Sequence, residues 1–238
     1  MKTKSKGRLV TGAILTAAFI IWTVLVKTID VQPVGVHRTE IGFAGINTWF
    51  HELTGVHLNI YDVTDTLSIA PLLVCVIFGL VGLVQLIRRR SLFKVDYDII
   101  ALGVYYIGVI VLFLAFEVIA VNYRPILIEG VMEASYPSST TLLVLSVMPT
   151  LMFQARRRIG SKGVSGIICI ITALFTAFMV IGRLISGVHW LTDIIGGVLL
   201  SLGLLWLYMG AVARSDEVSY ELKGMAGSER DQRSNLEA

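Results

Sequence analysis

Charged residues are scarce in this chain. They make up 16% of it, where a soluble domain carries about 25%, and with 55% of the residues hydrophobic that scarcity excludes an ordinary soluble fold. Short alternating apolar segments of the kind that build a spanning barrel are also missing, so the membrane elements must be helices. Only two cysteines occur, Cys75 and Cys169, both inside apolar runs where buried thiols are expected, which leaves no disulfide framework. No cluster of metal-ligand spacing is present either: His37, His51 and His57 are scattered over one loop, and neither a metal nor another cofactor is expected. Internal repeats, a second domain and a terminal CaaX lipidation signal are not found.

What is present is a series of apolar runs near the ~20 residues that a helix needs to cross the hydrocarbon. We read six, at roughly 9–27, 67–87, 99–121, 140–155, 164–182 and 193–212, the fourth being the shortest. The expected fold is all-α: a polytopic membrane protein with six transmembrane helices in one bundle over 9–212, preceded by a short N-terminus at 1–8. The charged segment 213–238 is expected to be a disordered tail. Lys2, Lys4, Lys6 and Arg8 precede the first run, but its core is long and no small-residue cleavage site follows, so it reads as a retained helix.

Orientation follows from the basic residues. Lys2 to Arg8, Arg88 to Arg90 with Lys94, and Arg156 to Arg158 with Lys162 fall on one side of a six-helix weave, which the positive-inside bias makes cytoplasmic. These runs are topology signals rather than nucleic-acid patches, and they put both termini inside. A plasma membrane, of bacterial type, fits the chain length and the lack of sorting sequences; oligomeric state cannot be read.

Segments 28–66, 122–139 and 183–192 then lie outside. Within the first, Phe43, Ile46, Trp49, Phe50 and Leu53 recur at helical spacing, and Thr54-Gly55 is a plausible stop, so an amphipathic helix is expected that packs at the interface or covers a site. Asp62 and Asp65 read as a solvated helix start. Gly79, Gly82, Gly196, Gly197, Ser201 and Gly203 permit close helix packing. Trp190 suits an interfacial aromatic belt or a substrate wall.

The most informative stretch is GRLISGVHWLTD, residues 182–193. His189 and Asp193 are four apart, so on a helix they share a face and the carboxylate can hold the imidazole in one tautomer, leaving its other nitrogen free as a base or nucleophile. Arg183 and Arg124 sit close to helix ends on the side that should hold few basic residues, and each is an anion clamp or half of a structural ion pair.

Arg183, His189 and Asp193 resemble the third signature of the type 2 phosphatidic acid phosphatase and vanadium haloperoxidase superfamily, SRxxxxxHxxxD, with Gly182 where the serine stands. Arg124-Pro125 resembles the end of the first signature, KxxxxxxRP, and Pro137-Ser138 the start of the second, PSGH. The resemblance covers about residues 67–212. It implies a six-helix membrane enzyme with an outward-facing site that hydrolyses phosphoesters in two steps. His189 would attack phosphorus, Asp193 would support the imidazole, and Arg124 and Arg183 would hold the nonbridging oxygens. Ser138 and the backbone N–H groups of Ser139 and Thr140 would add neutral donors. No metal is needed.

Two departures bear on the chemistry. Glu117 stands seven residues before Arg124, where the family has lysine. PSGH has become PSST, so the histidine that would protonate the leaving alkoxide is Thr140; general acid catalysis is worth about 10²–10⁴ in rate. Three accounts stay open: a leaving group needing little protonation, such as that of a lipid diphosphate; a substitute acid among Glu117, Glu133, Tyr136 or a loop histidine; or a site that binds or moves phosphorylated lipid without hydrolysis, with Glu117 bridging Arg124. The expected function is a membrane-embedded lipid phosphatase, its partners being the bilayer and a phosphorylated lipid. A prenyl phosphate or diphosphate is preferred, then phosphatidic acid or phosphatidylglycerol phosphate.

Overall fold

The structure is a computed structural model that describes the backbone of residues 2–237 and the side chains of residues 4–225. Among the described residues, eight α-helices follow one another: α1 (Lys2–Thr28), α2 (Ala44–Thr54), α3 (Leu58–Leu67), α4 (Ile69–Arg89), α5 (Tyr97–Val118), α6 (Ser139–Arg158), α7 (Lys162–Ile185) and α8 (Leu191–Glu237). Among the described residues, extended pairing is confined to isolated bridges, two of which, Tyr123–Ala134 and Ile128–Val131, close a hairpin between α5 and α6.

Among the described residues, five helical stretches are long and apolar enough to cross a membrane: Lys4–Thr28, Leu58–Arg89, Tyr97–Val118, Lys162–Ile185 and Leu191–Met225. Their outward faces carry exposed apolar side chains such as Ile14, Leu73, Ile107, Ile170 and Leu174, as lipid contact requires. The protein is thus an all-helical integral membrane protein. The expected six apolar spans become five, and the one that falls short is α6.

The reason lies in its position. Helix α6 packs against α4, α5, α7 and α8, so it needs no apolar outer face and can carry Ser146, Thr150 and Gln154 in its buried length. Two of those side chains find partners on its neighbours: Tyr106 Oη and Thr150 Oγ1 lie 2.6 Å apart, and Gln154 Nε2 donates to Tyr208 Oη at 2.8 Å; the Ser146 hydroxyl is buried with no partner among the described residues. Val144, Val147 and Met148 fill the space between them against Leu102, Met179 and Leu205. Ser138 caps the helix, its Oγ facing the Thr141 N–H at 3.5 Å.

Two further expectations are corrected. The second helical stretch does not start near 67: α3 leads through Ser68 into α4, so helix begins at Leu58. Nor does α8 end near 212 in a disordered tail. It continues because its polar residues have partners: Asp216 takes two hydrogen bonds from Arg157 at 2.8 and 3.1 Å, and Glu217 accepts from the Ser5 hydroxyl at 2.5 Å. For 226–238 the disorder expectation falls outside the described side chains. Helix α1 lies along α8, where Gly12, Gly203 and Gly210 bring the backbones together.

One end of the bundle is closed by ion pairs. Arg158 donates to Asp98 at 2.8 and 2.9 Å, to Asp96 at 3.1 Å and to Gln154 at 2.8 Å. Arg89 donates to Asp96 at 2.7 Å and holds that carboxyl below its ordinary range. The other end, where α6 and α8 begin and α5 and α7 finish, holds Arg124, Arg183, His189 and Asp193.

Candidate active site

His189 lies in the short link between α7 and α8, and it is 4% exposed. Its Nδ1 is 3.1 Å from the carbonyl oxygen of Ser135 in the hairpin. A carbonyl can only accept, so Nδ1 carries the proton and Nε2 presents a lone pair. Nε2 is buried and has no hydrogen-bond partner in the protein. Burial, reinforced by the charges of Arg124 and Arg183 and opposed by Asp193, takes this imidazole from 6.5 down to about 4, so it is neutral near pH 7.

Asp193 therefore does not orient the ring by direct hydrogen bonding, as the four-residue spacing suggested. Its Oδ2 is 3.8 Å from Nδ1 and accepts the Trp190 N–H at 3.0 Å, while Oδ1 accepts from Asn122 at 3.1 Å. A carboxylate in the third position of α8 that reaches back to the residue before the helix is a capping arrangement. It leaves Asp193 as a fully buried negative charge beside the imidazole. The steering group is a backbone carbonyl, supplied by a hairpin that pairs Ser135 N–H with Asn122 O at 2.9 Å.

The two arginines converge on Tyr61 of α3. Arg183 Cζ is 4.7 Å and Arg124 Cζ 5.6 Å from the centre of its ring. Arg183, 2% exposed, uses Nη2 to donate to Thr140 Oγ1 and to Asp65 Oδ1, each at 2.6 Å. Its Nε and Nη1 are buried without partners, as is Arg124 Nη1. Arg124 Nε is 3.0 Å from Glu133 Oε2 but lacks hydrogen-bond alignment. Unpaired guanidinium donors and an imidazole lone pair gathered at one helix-lined end are what an anion with several oxygens can satisfy.

Ser138 and Ser139 stand at the start of α6, where first-turn backbone N–H groups have no partner within the helix. The Ser138 N–H itself donates to the Asp193 carbonyl at 3.1 Å, which ties this turn to α8. Thr140 touches Arg183 rather than standing apart as a lost acid. Glu117 does not bridge Arg124: among the described residues it has no ion-pair partner, and Glu133 takes that place. It lines a narrow cleft with Ser135, Tyr136 and Ser139.

The sequence reading missed Asp65 and Tyr61 as site residues. Asp65 lies near the end of α3 rather than at a helix start, and its exposed carboxylate pairs with an arginine 118 residues away, a contact that no local pattern encodes. Trp190 is buried rather than set in an exposed aromatic belt, and its Nε1 donates to Tyr123 O at 2.9 Å, fastening the hairpin. The amphipathic helix α2 packs over the link, with His51 Nε2 3.1 Å from Gly187 O and Asn47 bonded to Thr192. Gly187 is required there, since its φ is +71° and a Cβ would fall 2.2 Å from Gly55 O.

Gly182, the departure from the family serine, has a physical reason in α3. A Cβ at 182 would stand 2.7 Å from Thr64 Cγ2, so the close seating of α3 on α7 depends on the missing side chain.

Residues 120–217 match the PAP2 superfamily model. The crystal structure of a transmembrane PAP2-type phosphatidylglycerolphosphate phosphatase from Bacillus subtilis has the same fold: TM-score 0.62 at 16% identity, with 86% of this chain and 96% of that chain covered. No curated protein matches this chain by sequence.

Proposed function

From a chain whose residues 120–217 match the PAP2 superfamily model, we propose a membrane-embedded phosphatase that hydrolyses a lipid phosphomonoester or diphosphate through a phosphohistidine at His189. One observation carries this reading: His189 presents an unpartnered Nε2 lone pair beside two guanidiniums with unpartnered donors. In the first step Nε2 bonds to phosphorus as the P–O bond to the leaving group breaks. Arg124, Arg183 and the N–H groups of Ser139 and Thr140 take the charge on the nonbridging oxygens. The ring becomes cationic, and buried Asp193 stabilises it. Water then cleaves the N–P bond and restores the neutral histidine.

Thr140 can donate a hydrogen bond but not a proton near neutral pH. A leaving group that departs as a phosphate suits such a site, which keeps a prenyl diphosphate first among substrates, with phosphatidic acid and phosphatidylglycerol phosphate after it. We place the site on the extracytoplasmic face of the plasma membrane and the termini in the cytoplasm, with α6 as a sixth, enclosed span. The basic residues Arg88 to Arg90 and Arg156 to Arg158 at the opposite end support that orientation.

The test is phosphate release by purified protein from lipid phosphates and diphosphates. Release that His189→Ala abolishes supports the proposal. Binding of these lipids without release by the unaltered protein would replace it with the non-hydrolytic reading.

A further inference from the structure

Helix α3 lies outside the region that matches the superfamily model, yet it supplies two side chains to the anion site. Arg183 Nη2 has two hydrogens, and each has an acceptor at 2.6 Å: Asp65 Oδ1 on α3 and Thr140 Oγ1 on α6. Two acceptors on two helices fix the plane of the guanidinium. Its remaining donors, Nε and Nη1, are those left for a ligand. Tyr61, one turn before Asp65, lies against both guanidiniums. The whole arrangement depends on Gly182, over which Thr64 of the same helix sits.

We propose, resting on the phosphatase reading of this site, that Asp65 and Tyr61 are positioning residues: α3 orients Arg183 so that its free donors meet the phosphoryl group as charge develops. Isolated exposed ion pairs contribute little, and Asp65 is 56% exposed on its side chain. Arg183, however, is 2% exposed, so the direction of its donors is set by whatever holds it.

Two other roles give different outcomes. If Asp65 only neutralises a buried cation, its charge matters and its geometry does not, so Asp65→Asn and Asp65→Ala behave alike. If Asp65 competes with the ligand for Arg183, removing it tightens phosphate binding. Positioning predicts that Asp65→Asn, which keeps an acceptor in place, retains kcat within about threefold, whereas Asp65→Ala lowers kcat about tenfold or more with a smaller change in KM. Tyr61→Phe keeps the ring and the activity; Tyr61→Leu loses both.

The experiment compares these four variants in full-length purified protein, measuring kcat and KM for a lipid phosphate and, separately, the affinity for inorganic orthophosphate. Equal behaviour of Asp65→Asn and Asp65→Ala, or tighter orthophosphate binding in Asp65→Ala, overturns the proposal. Should the unaltered protein release no phosphate, the hydrolytic reading fails by itself. Positioning is then judged on orthophosphate affinity, weakened about tenfold by Asp65→Ala and kept by Asp65→Asn.

Discussion

The two ends of the helix bundle use the same kinds of side chain to opposite effect. At the closed end, Arg158 has donors on Asp96, Asp98 and Gln154 and Arg157 reaches Asp216. At the site end, Arg124, Arg183 and His189 are buried with nitrogen atoms that nothing in the protein meets. Among the described residues, the network that joins α4, α5, α6 and α8 leaves no arginine nitrogen both buried and unpartnered. A buried group left unmatched carries a desolvation penalty of about 1–3 kcal/mol, more when charged, so its retention at one end and not the other separates a ligand site from a fastening.

That contrast is broken most severely at the open end. Arg183→Ala should lower kcat/KM by about 10²–10⁴-fold, because it removes charge-assisted donors from the transition state. Arg183→Lys should rescue little of this, since an ammonium cannot reach Asp65, Thr140 and a phosphoryl oxygen in one plane. Steady-state phosphate release measures both. At the closed end the expectation is reversed: Asp98→Ala should reduce stability by about 1–3 kcal/mol, discounted from a fully buried pair because Arg157 and Arg158 are about a third exposed. Thermal unfolding in detergent reads that loss, with kcat per folded molecule unchanged.

A smaller effect sharpens the boundary between the family pattern and this chain. Gly182→Ser restores the family residue but forces Thr64 away, at about 1–3 kcal/mol, and should lower kcat as α3 shifts. Adding Thr64→Ser, which removes the obstructing methyl, should recover both. The mildest departure is expected from pH. With the His189 imidazole held near 4 rather than 6.5, activity should stay level through mildly acid pH and fall only as pH approaches 4. The same histidine gives stability that is fully present above 6.5 and is lost as pH falls toward 4, because the unfolded ring binds a proton first. An activity limb centred near 6.5 would contradict the burial of the ring.

Much of this was legible in the sequence where the signal is local. Apolar runs marked five of the membrane-spanning helices, and the spacing of Arg183, His189 and Asp193 marked the candidate site. The stop of α2 was readable too, for Gly55 takes a φ of +70° after Thr54. What escaped was long-range or carried by backbone. The Ser135 carbonyl that steers His189 has no side-chain identity to read. The reach of α3 to Arg183 joins segments 118 residues apart. Asn122 opens the 122–139 segment, and nothing around it in the sequence announces a hydrogen bond to Asp193. The continuation of α8 past 212 depended on Arg157 and Ser5 lying alongside, which composition cannot express.

The most direct measurement is acid-versus-alkali stability of the protein-bound label after a rapid quench with a phosphorus-labelled lipid phosphate. The account predicts a covalent label that is acid-labile, alkali-stable, located on His189 and absent in His189→Ala. A label on another residue, or turnover that persists unchanged without the imidazole, would contradict it.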